Sequence, residues 1–224
     1  MIKYYEYIST QKLPTVSAKL SWSHYDELLK FNNIDKINYY IIICGEQNLS
    51  IRKLREKIKN NEYERLPIKT KNKLIEKTES TVQDFIKNPI ILKNTLDKEI
   101  ENEKTLKLLI LENMEEFLTE LGTGFCFIKS EYKIKIGNNY NYIDLLLYNI
   151  KYKCYVVIEL KVTELKKEHI GQIMTYMNYI NENIKTIDEN KTIGIIITKK
   201  DNRFIMQYCS DNNIFNTTYE LQNS

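Results

Sequence analysis

A chain of 224 residues with 42% hydrophobic content can bury a sizeable core without covalent staples. Its net charge of +3 excludes a strongly polyanionic or polycationic protein and by itself names no partner. The start, MIKYYEYIST, has no apolar signal region, and the apolar runs YYIIIC, LLLY, YVVI and IGIII are far too short to span a bilayer, so the expectation is a cytoplasmic protein without membrane contact.

Up to about residue 120 the apolar positions recur at helical spacing; from Gly122 onward β-rich runs punctuated by Gly and Asn take over. The first half predicts helices over 22–31, 36–46, 50–60 and 71–86, the second capped by Asp35 and the third by Ser50, with Gly45 to Leu49 as the turn between them. Between Ser50 and Lys73 nine basic residues face three acidic ones. In SIRKLREKIKN, Ile51, Leu54 and Ile58 form the buried side. That leaves Arg52, Lys53, Arg55, Lys57 and Lys59 for water or for phosphate, as in a helix-turn-helix contact with nucleic acid. A helical bundle that docks on another protein surface accounts for the same pattern.

A helix follows over 98–121, closed by Gly122. Three strands come next, Phe125 to Ile136, Tyr140 to Tyr148 and Cys154 to Val162, joined by the hairpin signal Gly137-Asn138-Asn139 and a short second connection. A helix over 166–183 then leads into the apolar strand 192–198. A strand entered from a crossover helix runs parallel to the one before it, so the sheet is mixed. The cysteines Cys44, Cys126, Cys154 and Cys209 lie far apart without a CxxC pair, which points to free thiols rather than to zinc or disulfides. No nucleotide-binding fingerprint or Ser-His-Asp order is present.

The chemistry concentrates in CYVVIELKV. Side chains alternate along a strand, so Glu159 and Lys161 share a face with Tyr155 and Val157, while Val156, Ile158 and Leu160 line the other. Burying two charges in a covered strand costs several kcal/mol per ion, about as much as many whole interactions supply. Asp144 interrupts YNYIDLLLYN in the same way. The pattern E-x-K is common in a chain with 28% charged residues, but its place inside an apolar strand, after a strand-borne Asp, is not. Asp144 and Glu159 side by side would hold Mg²⁺ or Mn²⁺, and Lys161 would place or deprotonate a water.

These residues carry a family resemblance. The D-x(14)-E-L-K spacing resembles the PD-(D/E)xK nuclease superfamily, with Ile143-Asp144 in place of Pro-Asp, and Gln172 to Tyr176 is similar to the QxxxY motif of its RecB-like branch. KLSWSHYDELL (19–29), NLSIRKLREKIKNNEYERL (48–66), FLTELGTGFCFI (117–128), YIDLLLYN (142–149) and VIELKVTELKKEHIGQIMTYMN (157–178) together resemble the YhcG-type proteins of unknown-function group 1016, against which this chain starts late. The resemblance implies an α/β fold, a restriction-endonuclease-like mixed sheet flanked by helices, over residues 90–224, after a small all-helical domain over 1–89. It implies a metal-dependent nuclease acting on DNA. Asp144, Glu159 and the carbonyl of Leu160 would bind Mg²⁺ or Mn²⁺, Lys161 would activate water, and Gln172 would orient it or the DNA. Glu112 would support the metal shell, with Glu120 as its rival. A duplex cut calls for a homodimer, and the helical domain could take a protein partner. The alternative is a nucleic-acid-binding module on an idle nuclease fold. His169 is expected on a helix surface, with a phosphate contact one turn from the site as the alternative, and His24 and Trp22 in the packing or capping of the first helix.

Overall fold

The computed structural model describes residues 20–76, 84, 86–95, 99–209 and 211–223. The chain forms two compact units, Met1–Ser80 and Thr81–Ser224. The sequence set a division near Pro89. Lys87 and Asn88 belong to the second unit by their bonds, since the Thr217 hydroxyl donates to the Lys87 carbonyl (2.7 Å) and the Thr218 amide to the Asn88 side chain (3.1 Å).

The first unit has helices α1 (Trp22–Leu28), α2 (Ile34–Gln47), α3 (Ile51–Lys59) and α4 (Ile68–Glu76). Two local expectations change. Asn33, not Asp35, caps α2: its side chain accepts from the Asp35 and Lys36 amides, which leaves Asp35 in the first turn, where its charge favours the helix dipole. Gly45 lies inside α2, buried, and the turn is shorter than expected because Asn48 adopts a left-handed conformation (φ 48°) and ends the helix there. Ser50 does cap α3, accepting from the Lys53 amide. Leu28, Tyr40, Ile41 and Leu54 are fully buried in one apolar cluster. The helix expected over 71–86 is seen to Glu76; residues 77–83 and 85 lie outside the described part.

The second unit is a six-stranded sheet in the order β1-β6-β5-β4-β3-β2, made of β1 (Ile90–Asn94), β2 (Phe125–Ile136), β3 (Asn139–Asn149), β4 (Cys154–Glu164), β5 (Ile193–Lys200) and β6 (Ile214–Asn223). β2, β3 and β4 form the expected antiparallel meander, and β5 runs parallel to β4. β1 and β6, paired in parallel, were not expected: β1 has five residues, and β6 reads IFNTTYELQN, too polar to announce a strand. The helix expected over 98–121 is two, α5 (Glu103–Glu112) and α6 (Met114–Leu121). Asn113 breaks it, since its side chain donates to Thr95 Oγ1 (2.9 Å) and to the Leu109 carbonyl (3.0 Å). α5 starts later than expected because Asn102 caps it.

The sheet is covered on both faces, which is why its central strands are apolar on both sides. Val156, Ile158, Leu160, Ile195 and Ile197 pack with Leu106, Leu109 and Ile110 of α5. Val157 and Ile196 pack with Ile173, Tyr176, Met177 and Ile180 of α7 (Lys167–Asn183). The short α8 (Arg203–Gln207) precedes β6. Among the described residues no helix is long and apolar enough to cross a membrane.

α7 lies close on β5 at Gly194. A Cβ there would meet Met177 Sδ at 2.6 Å and Ile173 Cδ1 at 2.9 Å, inside the normal contact range. Gly194→Ala should therefore destabilise the second unit by about 1–3 kcal/mol through overpacking, read as a lower urea midpoint with an unchanged slope. An unchanged midpoint would mean that α7 sits further from the sheet.

Candidate active site

Glu159 and Lys161 occupy the carboxyl-terminal half of β4, which is paired with β5 through Glu159↔Ile196 and Lys161↔Thr198. Both are buried, at 2% and 9% relative exposure. On the other side of β4, pairing with β3 runs from Asn149↔Cys154 to Leu145↔Ile158. The next residue on β3 is Asp144, and here a side chain takes over from the backbone ladder: Asp144 Oδ2 accepts the Leu160 amide at 2.9 Å. The carboxylate that serves the site thus also ties the two strands at their point of parting.

The remaining charges arrange themselves around this point. Lys107 of α5 donates to Asp144 Oδ1 at 2.7 Å, and its ammonium also contacts Glu131 of β2. Glu131 is left-handed (φ 51°), in an otherwise extended strand. Lys161 donates to Glu159 Oε1 at 2.8 Å and lies 3.4 Å from Glu103 of α5. The second Glu159 oxygen, Oε2, is buried and has no hydrogen-bond partner among the described residues. An orphaned buried carboxylate oxygen is costly and calls for a cation.

Burial, reinforced by the charge of Asp144, pushes the Glu159 carboxyl up to about 7 despite the opposing Lys161. Burial alone would lower Lys161, but the hydrogen bond and charge of Glu159, with Glu103 and Asp144, outweigh it and hold the ammonium above its usual value. The lysine therefore keeps its proton at neutral pH.

α7 brings up the rest. Gln172 donates to the Tyr176 hydroxyl at 3.0 Å, one helical turn on. Burial raises the buried phenol of Tyr176, and so do the charges of Glu159 and Asp144, which places the pair within electrostatic reach of the cluster. His169 is not a surface residue: it is 9% exposed, and its Nδ1 accepts the Lys166 amide at 3.2 Å, capping α7. Burial and the charges of Lys161 and Lys166 lower its pKa, so it is neutral near pH 7. His24 does the same for α1, where its Nδ1 accepts the Ser21 amide, and Trp22, the first residue of α1, is 55% exposed.

The helix carboxylate beside this cluster is Glu103, not Glu112. Glu112 is exposed at the far end of α5, nine residues on, about 13 Å along a helix axis. Glu120 is engaged elsewhere, accepting the Ile91 amide at 3.0 Å and pairing with Lys87 at 3.5 Å. Glu103, Lys107 and Glu131 were missed by the sequence reading. Their signal is weak: Glu103 and Lys107 are an i,i+4 pair just after the Asn102 cap, and only the break at Asn113 shows which half of the long helix matters.

Of the basic residues on α3, Arg52, Lys53, Arg55 and Lys59 are exposed; Arg55 bonds Glu27 at 3.0 Å and Lys53 lies 3.6 Å from Glu56. Lys57 corrects the expectation. It is one turn from Leu54, on the buried side, and its ammonium donates to buried Glu62 at 2.8 Å, so it is not available to phosphate.

Two carboxylates, one with an orphaned oxygen, and a neighbouring carbonyl fit a hydrated oxygen-seeking cation, which needs only one or two carboxylates. They do not make a closed cage: among the described residues no group of three or more His, Cys, Asp or Glu is arranged to hold a metal.

A family model described as the YhcG PDDEXK nuclease domain matches residues 83–224, more than half of the chain. The chain belongs to that family. A second model, the DUF1016 N-terminal domain, matches residues 1–65. The Escherichia coli (strain K12) protein named "Putative nuclease YhcG" is 28% identical over 204 residues, covering 86% of this chain and 54% of its own, so this chain spans about half the length of that relative. Among solved structures, a repair endonuclease from Pyrococcus abyssi matches with 19% identity and a TM-score of 0.39, covering 55% of this chain and 48% of its own. An EndoMS complex with double-stranded DNA matches with 19% identity and a TM-score of 0.40, over 55% and 47%. The mixed sheet with helices on both faces is the restriction-endonuclease-like fold of the YhcG nuclease domain.

The raised Glu159 carboxyl has a sign. Its folded value lies above the ordinary 4.5, so folding favours the protonated form; this contribution is fully present below pH 4.5 and is lost as pH rises through about 7. In a chelator, Glu159→Gln should therefore gain stability over the wild type between pH 5 and pH 8, by about 3 kcal/mol at most. Urea unfolding at both pH values reads it, and a difference that stays flat with pH would sink the assignment.

Proposed function

We propose that the second unit hydrolyses phosphodiester bonds in DNA with a divalent cation, Mg²⁺ or Mn²⁺. The single observation behind this reading is the orphaned Glu159 Oε2, buried beside Asp144 and Lys161 at the parting of β3 and β4. Asp144, Glu159 and the Leu160 carbonyl would hold the cation. A cation there supplies charge neutralisation at the scissile phosphate and a more acidic water.

The chain's own residues do the rest. Lys161, hydrogen-bonded to Glu159, would orient and activate the attacking water beside the cation. Glu103 takes the supporting place first given to Glu112, because it reaches Lys161. Lys107 braces Asp144 and holds its carboxylate in place. Gln172, fixed by Tyr176, orients water or DNA. The exposed Arg52, Lys53, Arg55 and Lys59 give the helical unit a basic face for DNA or for a partner protein. A cut through both strands of a duplex requires two such sites, which a homodimer provides.

Purified protein should nick or linearise supercoiled DNA with Mg²⁺ or Mn²⁺ and not in EDTA. Asp144→Asn and Lys161→Ala should each slow cutting by about 10²–10³-fold, the scale of removing one group that stabilises the transition state. Cutting that survives both substitutions would refute the site. Binding without cutting by the wild type would favour an idle nuclease fold, and cutting confined to RNA would replace the substrate.

A further inference from the structure

Beyond the site, β2 and β3 continue outward as a two-stranded ribbon closed by the turn at Gly137. On β3, Tyr140, Tyr142 and Asp144 are alternate residues, so at about 3.4 Å per residue the two tyrosines stand about 7 and 14 Å along the strand from Asp144. In the register, Lys133 is opposite Tyr142 and Lys135 opposite Tyr140. Ile134 and Ile143 are buried, whereas all four of these residues are exposed, Tyr140 at 56% and Tyr142 at 48%. The Lys133 ammonium lies 3.8 Å from the centroid of the Tyr140 ring. Neither lysine has a carboxylate partner among the described residues, and the nearby Glu131 is already engaged by Lys107.

We propose that this ribbon is a contact for single-stranded DNA, leading one strand to Asp144. The inference rests on the nuclease reading and names its substrate. Lysines interleaved with half-exposed aromatic rings are the composition that tracks a single strand, phosphates on the ammonium groups and unstacked bases on the ring faces left to solvent. A duplex hides its base faces and would leave the two tyrosines unused. A second copy of the chain is the other occupant open to β2, an edge strand. Lys129, Lys133 and Lys135 along that edge oppose strand-to-strand pairing, because like charges would meet across it.

Fluorescence anisotropy of the full chain in EDTA, with a labelled oligothymidylate and with a blunt duplex, tests this without cleavage. Wild type should prefer the single strand. The double variant Tyr140→Ala with Tyr142→Ala should lose about tenfold to a hundredfold in affinity for it with the salt slope unchanged. Lys133→Gln with Lys135→Gln should flatten the slope of log affinity against log salt by about 1.4, two phosphate contacts' worth. All four side chains are exposed, and an unchanged melting temperature verifies that the variants fold. Equal binding by wild type and both variants would overturn the proposal, and so would a shift in sedimentation without a change in DNA affinity, which marks an interface between copies. Metal-dependent cutting of duplex DNA alongside either result would leave the nuclease reading standing and reject only the ribbon.

Discussion

The hydrogen bond from the Leu160 amide to Asp144 is the hinge of the second unit. Two antiparallel strands that separate would normally expose backbone donors to a half-buried gap, at a cost comparable to a lost hydrogen bond for each. Asp144 fills that gap with a carboxylate, and the charge so introduced dictates the surroundings. It demands Lys107 from the helix above, and it adds its repulsion to the burial that raises the neighbouring Glu159. Lys161 balances the second acid and is shared with Glu103. A sheet defect, a buried acid with a raised pKa and a lysine kept charged are consequences of one geometric event.

Much of this was legible in the sequence, for a physical reason. A charge in an apolar strand has few explanations, so Asp144, Glu159 and Lys161 announced themselves, and strand alternation set their faces. Gln172 and Tyr176 were read from their resemblance to the QxxxY motif. Residues whose role depends on a helix break were not legible. Asn113 ends α5 through a bond to Thr95, a contact with no local signature, and without that break the choice fell on Glu112 or Glu120 and passed over Glu103. β1 and β6 were hidden because their partners supply the burial that their own composition does not show.

The helical unit teaches a complementary lesson. Its amphipathic pattern gave the helices and the cap at Ser50, yet net charge misplaced Lys57. That lysine, Glu62 and the Tyr39 hydroxyl, which donates to Glu62 at 2.8 Å, form a buried polar chain. Formal charge counted along a helix cannot tell a solvated ammonium from a neutralised one; only the partner, five residues away across a turn, decides it.

Glu131 carries a different implication. A non-glycine residue in the left-handed region costs about 1–3 kcal/mol, and glycine would sit there more easily. The carboxylate retained at that position grips Lys107, and through it Asp144. A sequence optimised only for thermal robustness would discard it. Position 131 is thus a point at which durability and the order of the charged cluster compete, and improved heat tolerance from Glu131→Gly would come at the expense of a slacker brace between Lys107 and Asp144.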